Sequence, residues 1–160
     1  MDGKQLRDFV VAPALKAIGL WSEAAERLVM GTAAHESEGF KWIDQTTAGP
    51  GPALGLWQIE PATYDDLVKN TLPGLRDPLR SALRPILDPP PPAQRLWSDL
   101  RLGAVVCRLL YYRAPAALPS DPGDIGALAA YWKRYYNTML GAGVPAVWIA
   151  NFRRYCSWYV

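Results

Sequence analysis

The stretch Thr32-Ala33-Ala34-His35-Glu36-Ser37-Glu38-Gly39-Phe40 closes an amphipathic helical pattern and runs out into a glycine. Counting back from Glu36 in helical steps meets Ala33, Thr32, Val29 and Ala25, so its carboxylate leaves the helix on the side that faces the core. Glu38 lies off that stripe. A carboxylate at the end of a buried face is partly desolvated, which disfavours its charged form and lets it keep a proton near neutral pH. A general acid needs that property. Position alone does not separate this role from the commoner one, a solvated charge or a partner for a nearby arginine.

Upstream, Ser22 is an N-cap candidate for the helix that delivers Glu36, and Glu23 and Glu26 complement its positive end. Before it, Leu6, Phe9, Val10, Ala14 and Leu15 share a helical face over Lys4 to Ile18, where Pro13 predicts a kink or break. Downstream, Phe40 to Ile59 holds Thr46-Thr47, Gly49-Pro50-Gly51-Pro52 and Gly55, too many breakers for a helical period. It reads as a small lobe of short strands or ordered loop.

Helices resume at Pro61, and again at Asp77-Pro78 with an end near Pro85. The run Asp88-Pro89-Pro90-Pro91-Pro92 is a stiff spacer between helices. A long apolar helix covers Ala93 to Tyr112, with a restart at Ser98 as the alternative. Asp121 or Asp124 caps the next, Ile125 to Tyr136, and the last starts at Pro145. Their aromatic stripes (Leu128, Tyr131, Trp132, Tyr135, Tyr136, then Trp148, Phe152, Tyr155, Tyr159) read first as packing. The fold class is therefore mainly α, a helical bundle with a small strand or loop lobe, within a single domain over 1–160.

Three short motifs follow one another: Glu36-Ser37, then Gly55-Leu56-Trp57-Gln58-Ile59, then Ala130-Tyr131. Gly55 suits a backbone that must approach a ligand closely, and Gln58 offers both a donor and an acceptor. Trp57 could stack on a sugar face; an ordinary buried strand is the other reading. In that order the motifs resemble the soluble lytic transglycosylases and their goose-type lysozyme relatives, over about Leu28 to Tyr136. The resemblance implies an α+β lysozyme-like fold in which the lobe flanks a substrate cleft. It also implies that Glu36 is catalytic, that Ser37, Gln58 and Tyr131 orient sugar and acid, and that Tyr131 hydrogen-bonds Glu36. Asparagine usually follows the family's Ala-Tyr, whereas this chain has Trp132, and its nearest asparagine is Asn137. Tyr131 to Thr138, together with Gly51 to Gln58, resembles a variant found in bacteriophage proteins.

Composition bounds the partners. Half the 160 residues are hydrophobic, and seven tryptophans and eight tyrosines supply either core or sugar-stacking surface. Residues 1–68 carry ten acids and five bases, and residues 69–160 carry five acids and twelve bases. The basic second part suits an anionic partner such as a peptidoglycan strand. Its bases are scattered singly and no nucleic-acid motif accompanies them, so nucleic acid is not an expected partner. Cys107 and Cys156 lack paired-cysteine spacing and read as buried free thiols of a reducing cytoplasm, with a disulfide as the other option. His35 is the single histidine, which disfavours a zinc site, and it reads as a surface or cleft-edge residue. No targeting segment and no apolar run near the ~20 residues of a membrane span is visible. The expectation is a protein made in the bacterial cytoplasm that reaches the wall through a holin, a virion or lysis.

Glycosidases that use water normally carry two carboxylates roughly 5–10 Å apart. Glu38, Asp44 and Glu60 are the candidates near Glu36, and none lies in a recognisable second-carboxylate motif. A lytic transglycosylase needs one. The resemblance thus implies cleavage between N-acetylmuramic acid and N-acetylglucosamine by Glu36 alone, with no cofactor. Two alternatives stand beside it. One is a hydrolytic goose-type lysozyme, and the other a non-enzymatic virion protein whose aromatic C-terminal helix docks on a tail or baseplate partner.

Overall fold

The structure is a computed structural model that describes residues 1–44, 53–138 and 141–160. It is mainly helical. The first helices are α1 (Gly3–Leu6), α2 (Ala12–Ala17), α3 (Glu23–Glu36) and α4 (Pro61–Asp66), followed by α5 (Leu79–Leu87), α6 (Leu100–Tyr112), α7 (Ile125–Trp132) and α8 (Pro145–Tyr155). Several of them are joined by π or 3-10 turns.

Two helices are enclosed by the rest. In α3, every residue from Ala24 to Ala34 except Arg27 is buried, and in α6 every residue from Leu102 to Tyr111 is. Alanine and glycine make this possible in α3, because neighbours can close on it from several sides. A Cβ at Gly31 would overlap the Trp148 ring, so glycine is what lets α8 lie against α3. The caps are those read from the sequence: Ser22 Oγ accepts the Ala25 N–H at 3.1 Å, and Asp124 Oδ1 accepts that of Ala127 at 2.8 Å. For α6 the restart comes at Asp99, whose Oδ1 accepts the Leu102 N–H, after a 3-10 turn over Ala93–Trp97.

Two prolines lie inside continuous helical runs. Pro13 neither breaks nor ends its helix. A π turn over Arg7–Val11 widens the ladder just ahead of it, with the Ala12 N–H reaching the Arg7 carbonyl, so the missing N–H and bulky ring are absorbed. Pro85 lies inside the last turn of α5, which ends at Leu87, near the end read from the sequence. The aromatic stripes are spent internally. Trp132, Trp148 and Phe152 are fully buried, and a run of ring contacts continues from Phe152 to Tyr159. These rings pack on the chain itself, as first read, and the Tyr159 hydroxyl donates to Glu26.

Between Phe40 and Ile59, the described residues carry two isolated antiparallel bridges, Asp44 with Leu54 and Leu54 with Ile59. Part of the expected lobe, and Gly51 and Pro52 of the phage-like stretch, lie outside the described residues. Cys107 and Cys156 are both free and buried. No helix is long and apolar enough to cross a membrane among the described residues.

Candidate functional site

Ser37 ends α3 by turning its own hydroxyl back on the helix. Its Oγ donates to the Ala33 carbonyl at 2.6 Å and accepts the Phe40 N–H at 2.9 Å. Glu38, Gly39 and Phe40 then follow with φ of 49°, 81° and 65°, a left-handed reversal that leaves Glu36 as the last helical residue. Ser37 is completely buried, so the serine expected to orient a sugar instead shapes the turn that presents the acid.

Glu36 is half-buried at the wall of a cavity of about 460 Å³. Gln58, Glu60, Thr63, Arg113, Tyr136, Asn137 and Thr138 also line it, so the ends of α3 and α6, the start of α4 and the turn after α7 all contribute. The Trp132 Nε1–H donates to Glu36 Oε1 at 3.1 Å. The other carboxylate oxygen has no protein partner among the described residues. Burial pushes the Glu36 carboxyl up to about 7, and the Trp132 N–H opposes that rise without cancelling it. At neutral pH the side chain therefore exists in both protonation states.

Tyr131 does not make the hydrogen bond expected of it. Its hydroxyl donates to the Ala116 carbonyl at 2.7 Å, and the next residue supplies the donor to Glu36. Neighbouring residues on a helix point about 100° apart, and α7 is rotated so that Trp132 faces α3. The Trp132 indole is held from behind by His35, whose ring meets it edge-on with centroids 4.6 Å apart. His35 is half-buried rather than a surface residue. Its Nδ1 lies 3.0 Å from Asn151 Nδ2, and burial lowers its pKa, which favours the neutral ring.

The Gly-Leu-Trp-Gln-Ile motif serves the cavity indirectly. Trp57 is buried, donates its indole N–H to the Val29 carbonyl at 3.0 Å and lies against Gly103, so its ring offers no sugar platform. Gly55, at φ 71°, makes close room for the Leu96 carbonyl rather than for a ligand, and its N–H donates to Ile43. Gln58 alone of the motif's expected contacts reaches the cavity. Its Nε2 donates to Gly55 at 2.8 Å, and the Tyr136 hydroxyl donates to the Trp57 carbonyl beside it at 2.5 Å.

Among the described residues, the non-glycine positions with positive φ are Glu38, Phe40, Gln58 and Thr138. Two lie within four residues after Glu36 and two line its cavity. Such backbone strain costs about 1–3 kcal/mol per residue and collects at functional sites. On the far wall, Lys133 Nζ donates to Asn137 Oδ1 and to the Gly141 carbonyl, and Asn137 Oδ1 also accepts the Gly143 N–H. Of the second-carboxylate candidates, Glu60 lines the cavity, while Glu38 is exposed and accepts the Trp42 indole N–H at 3.3 Å. No cluster of three His, Cys, Asp or Glu side chains able to hold a metal occurs among the described residues.

Trp132, Tyr136, Arg113 and Thr63 are among the site residues that sequence reasoning did not assign. The signal for Trp132 was present as the departure from Ala-Tyr-Asn, a large donor-bearing ring where the pattern has a small amide. Comparisons with protein-family models, with curated proteins and with solved structures find no match to this chain.

Proposed function

We propose that this chain is a peptidoglycan-cleaving lytic transglycosylase of lysozyme-like fold and bacteriophage origin, with Glu36 as its single catalytic carboxylate. The observation that carries the reading is Glu36 itself, a half-buried carboxyl pushed up to about 7, bonded through one oxygen to Trp132, at the wall of a polar cavity. A proton donor works best when its pKa lies near the working pH.

In this reading the 40–59 lobe is one wall of the substrate cleft. Protonated Glu36 gives its proton to the glycosidic oxygen as the bond from the muramoyl C1 breaks. The carboxylate so formed takes the proton of the muramoyl C6 hydroxyl as that oxygen closes on C1. The products are a 1,6-anhydro sugar and a free hydroxyl on the leaving sugar, and Glu36 ends protonated again. Gln58, which lines the cavity, would hold an acetamido or hydroxyl group. The protein would be made in the bacterial cytoplasm and act at the wall as a lysis or virion-associated protein, with glycan strands, and tail or baseplate proteins, as its partners.

Glu60 in the same cavity favours a second reading, a hydrolytic goose-type lysozyme in which a second carboxylate activates water. Digestion of purified peptidoglycan by the wild type and by Glu36→Gln, with mass spectrometry of the products, separates the two. Anhydro-muropeptides absent from the variant digest support the transglycosylase, and reducing ends absent from it support the lysozyme. Release of nothing by a folded wild-type protein removes both.

A further inference from the structure

We propose that the hollow beside α5 is a second binding site, for a small amphipathic carboxylate, one anionic group on a short hydrocarbon body. Its lining shares no residue with the Glu36 cavity.

The sequence of α5 sets up two parallel rows. Leu79, Leu83 and Leu87 recur every fourth position and are buried, which turns their row to the core. Arg80, Arg84 and Asp88 follow one position later at the same spacing, so they run beside the leucines and are exposed. Side chains of both rows line a hollow of about 280 Å³. Val68, Leu72 and Leu75, all half-buried, complete its floor from the π and 3-10 turns after α4. Pro90 adds a wall, and the Tyr64 hydroxyl anchors the proline run by donating to the Pro91 carbonyl at 2.7 Å. The hollow is therefore formed before any ligand arrives. Aliphatic side chains that meet in a packed interior leave no space of this size. An apolar concave floor with a few polar groups at its edge is the usual make-up of a small-molecule site.

The charge at that edge selects the ligand. Neither Arg80 nor Arg84 hydrogen-bonds or ion-pairs with the protein among the described residues, whose ion pairs are Arg7 with Asp8, Arg95 with Asp99 and Arg113 with Asp66. Both side chains are exposed and none of their donors is sealed, so a molecule seated in the hollow can reach them. Asp77 feels both arginines but accepts the Ser81 hydroxyl and N–H. Asp88 is the single acid of the lining, so two cations face one anion there. A guanidinium pairs a carboxylate through two oxygens. Phosphate gains nothing from the aliphatic floor, and a neutral alcohol gains nothing from the arginines. A molecule that joins a carboxylate to a hydrocarbon body gains from both.

The test titrates sodium hexanoate into the full chain at constant ionic strength and follows the leucine methyl resonances. The expected result is a saturable shift of the Leu83 and Leu87 methyls, with an affinity about five-fold lower for 1-hexanol and no shift from phosphate. The double variant Arg80→Gln with Arg84→Gln replaces two exposed side chains, so it keeps the fold and should bind hexanoate no better than 1-hexanol. Absence of a saturable shift, equal affinity for hexanoate and 1-hexanol, or full hexanoate affinity in the double variant overturns the proposal. Leu75→Asp sets a like charge in the floor with both arginines in place. Hexanoate affinity must fall there at least several-fold, and an unchanged titration overturns the proposal as well.

Discussion

The indole N–H of Trp132, at the end of α7, donates to Oε1 of Glu36, at the end of α3, across 3.1 Å. The bond favours the carboxylate and so works against the burial that raises the Glu36 pKa. Trp132→Phe removes the donor and keeps a ring against His35 and Trp148. The Glu36 pKa is expected to move above its wild-type value of about 7, followed by NMR of the labelled carboxyl carbon. The lost indole atoms should cost about 1–2 kcal/mol of stability. A pKa that stays put or falls would show that the bond does not act on the carboxylate.

Tyr131→Phe is the companion experiment. Its hydroxyl holds the Ala116 carbonyl, so the variant should lose about 1 kcal/mol of stability. The Glu36 titration should remain where it is in the wild type. An upward shift in this variant would mean that Tyr131, not Trp132, is the partner that matters in solution.

Glu36→Gln should change the pH dependence of stability in a definite direction. The folded chain keeps the Glu36 proton up to about pH 7, whereas the unfolded chain releases it near 4.5. Between those values the folded state binds more protons, so unfolding free energy falls as pH rises. The contribution is fully present below about 4.5 and lost once pH passes the folded value. The loss amounts to something on the order of 3 kcal/mol. The glutamine variant has no such loss, so its stability relative to wild type should climb from pH 4 to pH 8 in urea titrations. Parallel curves would remove the elevated pKa, and the acid role with it.

Gly55→Ala should unfold or nearly unfold the chain, with a loss of roughly 3 kcal/mol or more. The position has φ 71°, and an added Cβ would overlap the Leu96 backbone carbonyl, which cannot swing aside as a side chain would. Gly74→Ala is the control, since nothing lies within 4 Å of its added Cβ, and its change should stay within about 0.5 kcal/mol. Chemical denaturation of both variants measures the contrast. Equal losses would mean that the close approach at Leu96 is not made.

Glu36 was legible because its burial follows from local facts alone: a cap at Ser22, a 3.6-residue period and a reversal at Gly39. Pro61 and Pro145 marked helix starts for equally local reasons. The partners of Trp57, Gly55 and Tyr131 were not legible, since they depend on Gly103, Leu96 and Ala116, supplied by other parts of the chain. Whether Tyr131 or Trp132 faces Glu36 depends on the rotation of α7, which is set by packing against α3 and α8 and leaves no local mark. That the chain stays helical through Pro13 was not legible either, because the π turn ahead of it forms only where surrounding contacts hold the helix together.

Thr138 has φ 64° and ψ 169°, a conformation that is open to glycine and strained for a β-branched residue. It stands on the rim of the Glu36 cavity and is exposed, so it gains little from packing. Thr138→Gly exchanges relief of about 1–3 kcal/mol of strain for about 1 kcal/mol of added unfolded-state entropy. Relief should win by about 1 kcal/mol, and Tm should rise by about 2–4 °C for a chain of this size. The same substitution frees the rim that Asn137 and Lys133 hold in place, so under the proposed function peptidoglycan digestion should slow even as the protein becomes more stable. Calorimetry and the digestion assay on one preparation read both effects. A variant less stable than wild type would mean that Thr138 is not strained, and a gain in both stability and activity would mean that its strain has no part in holding the cleft.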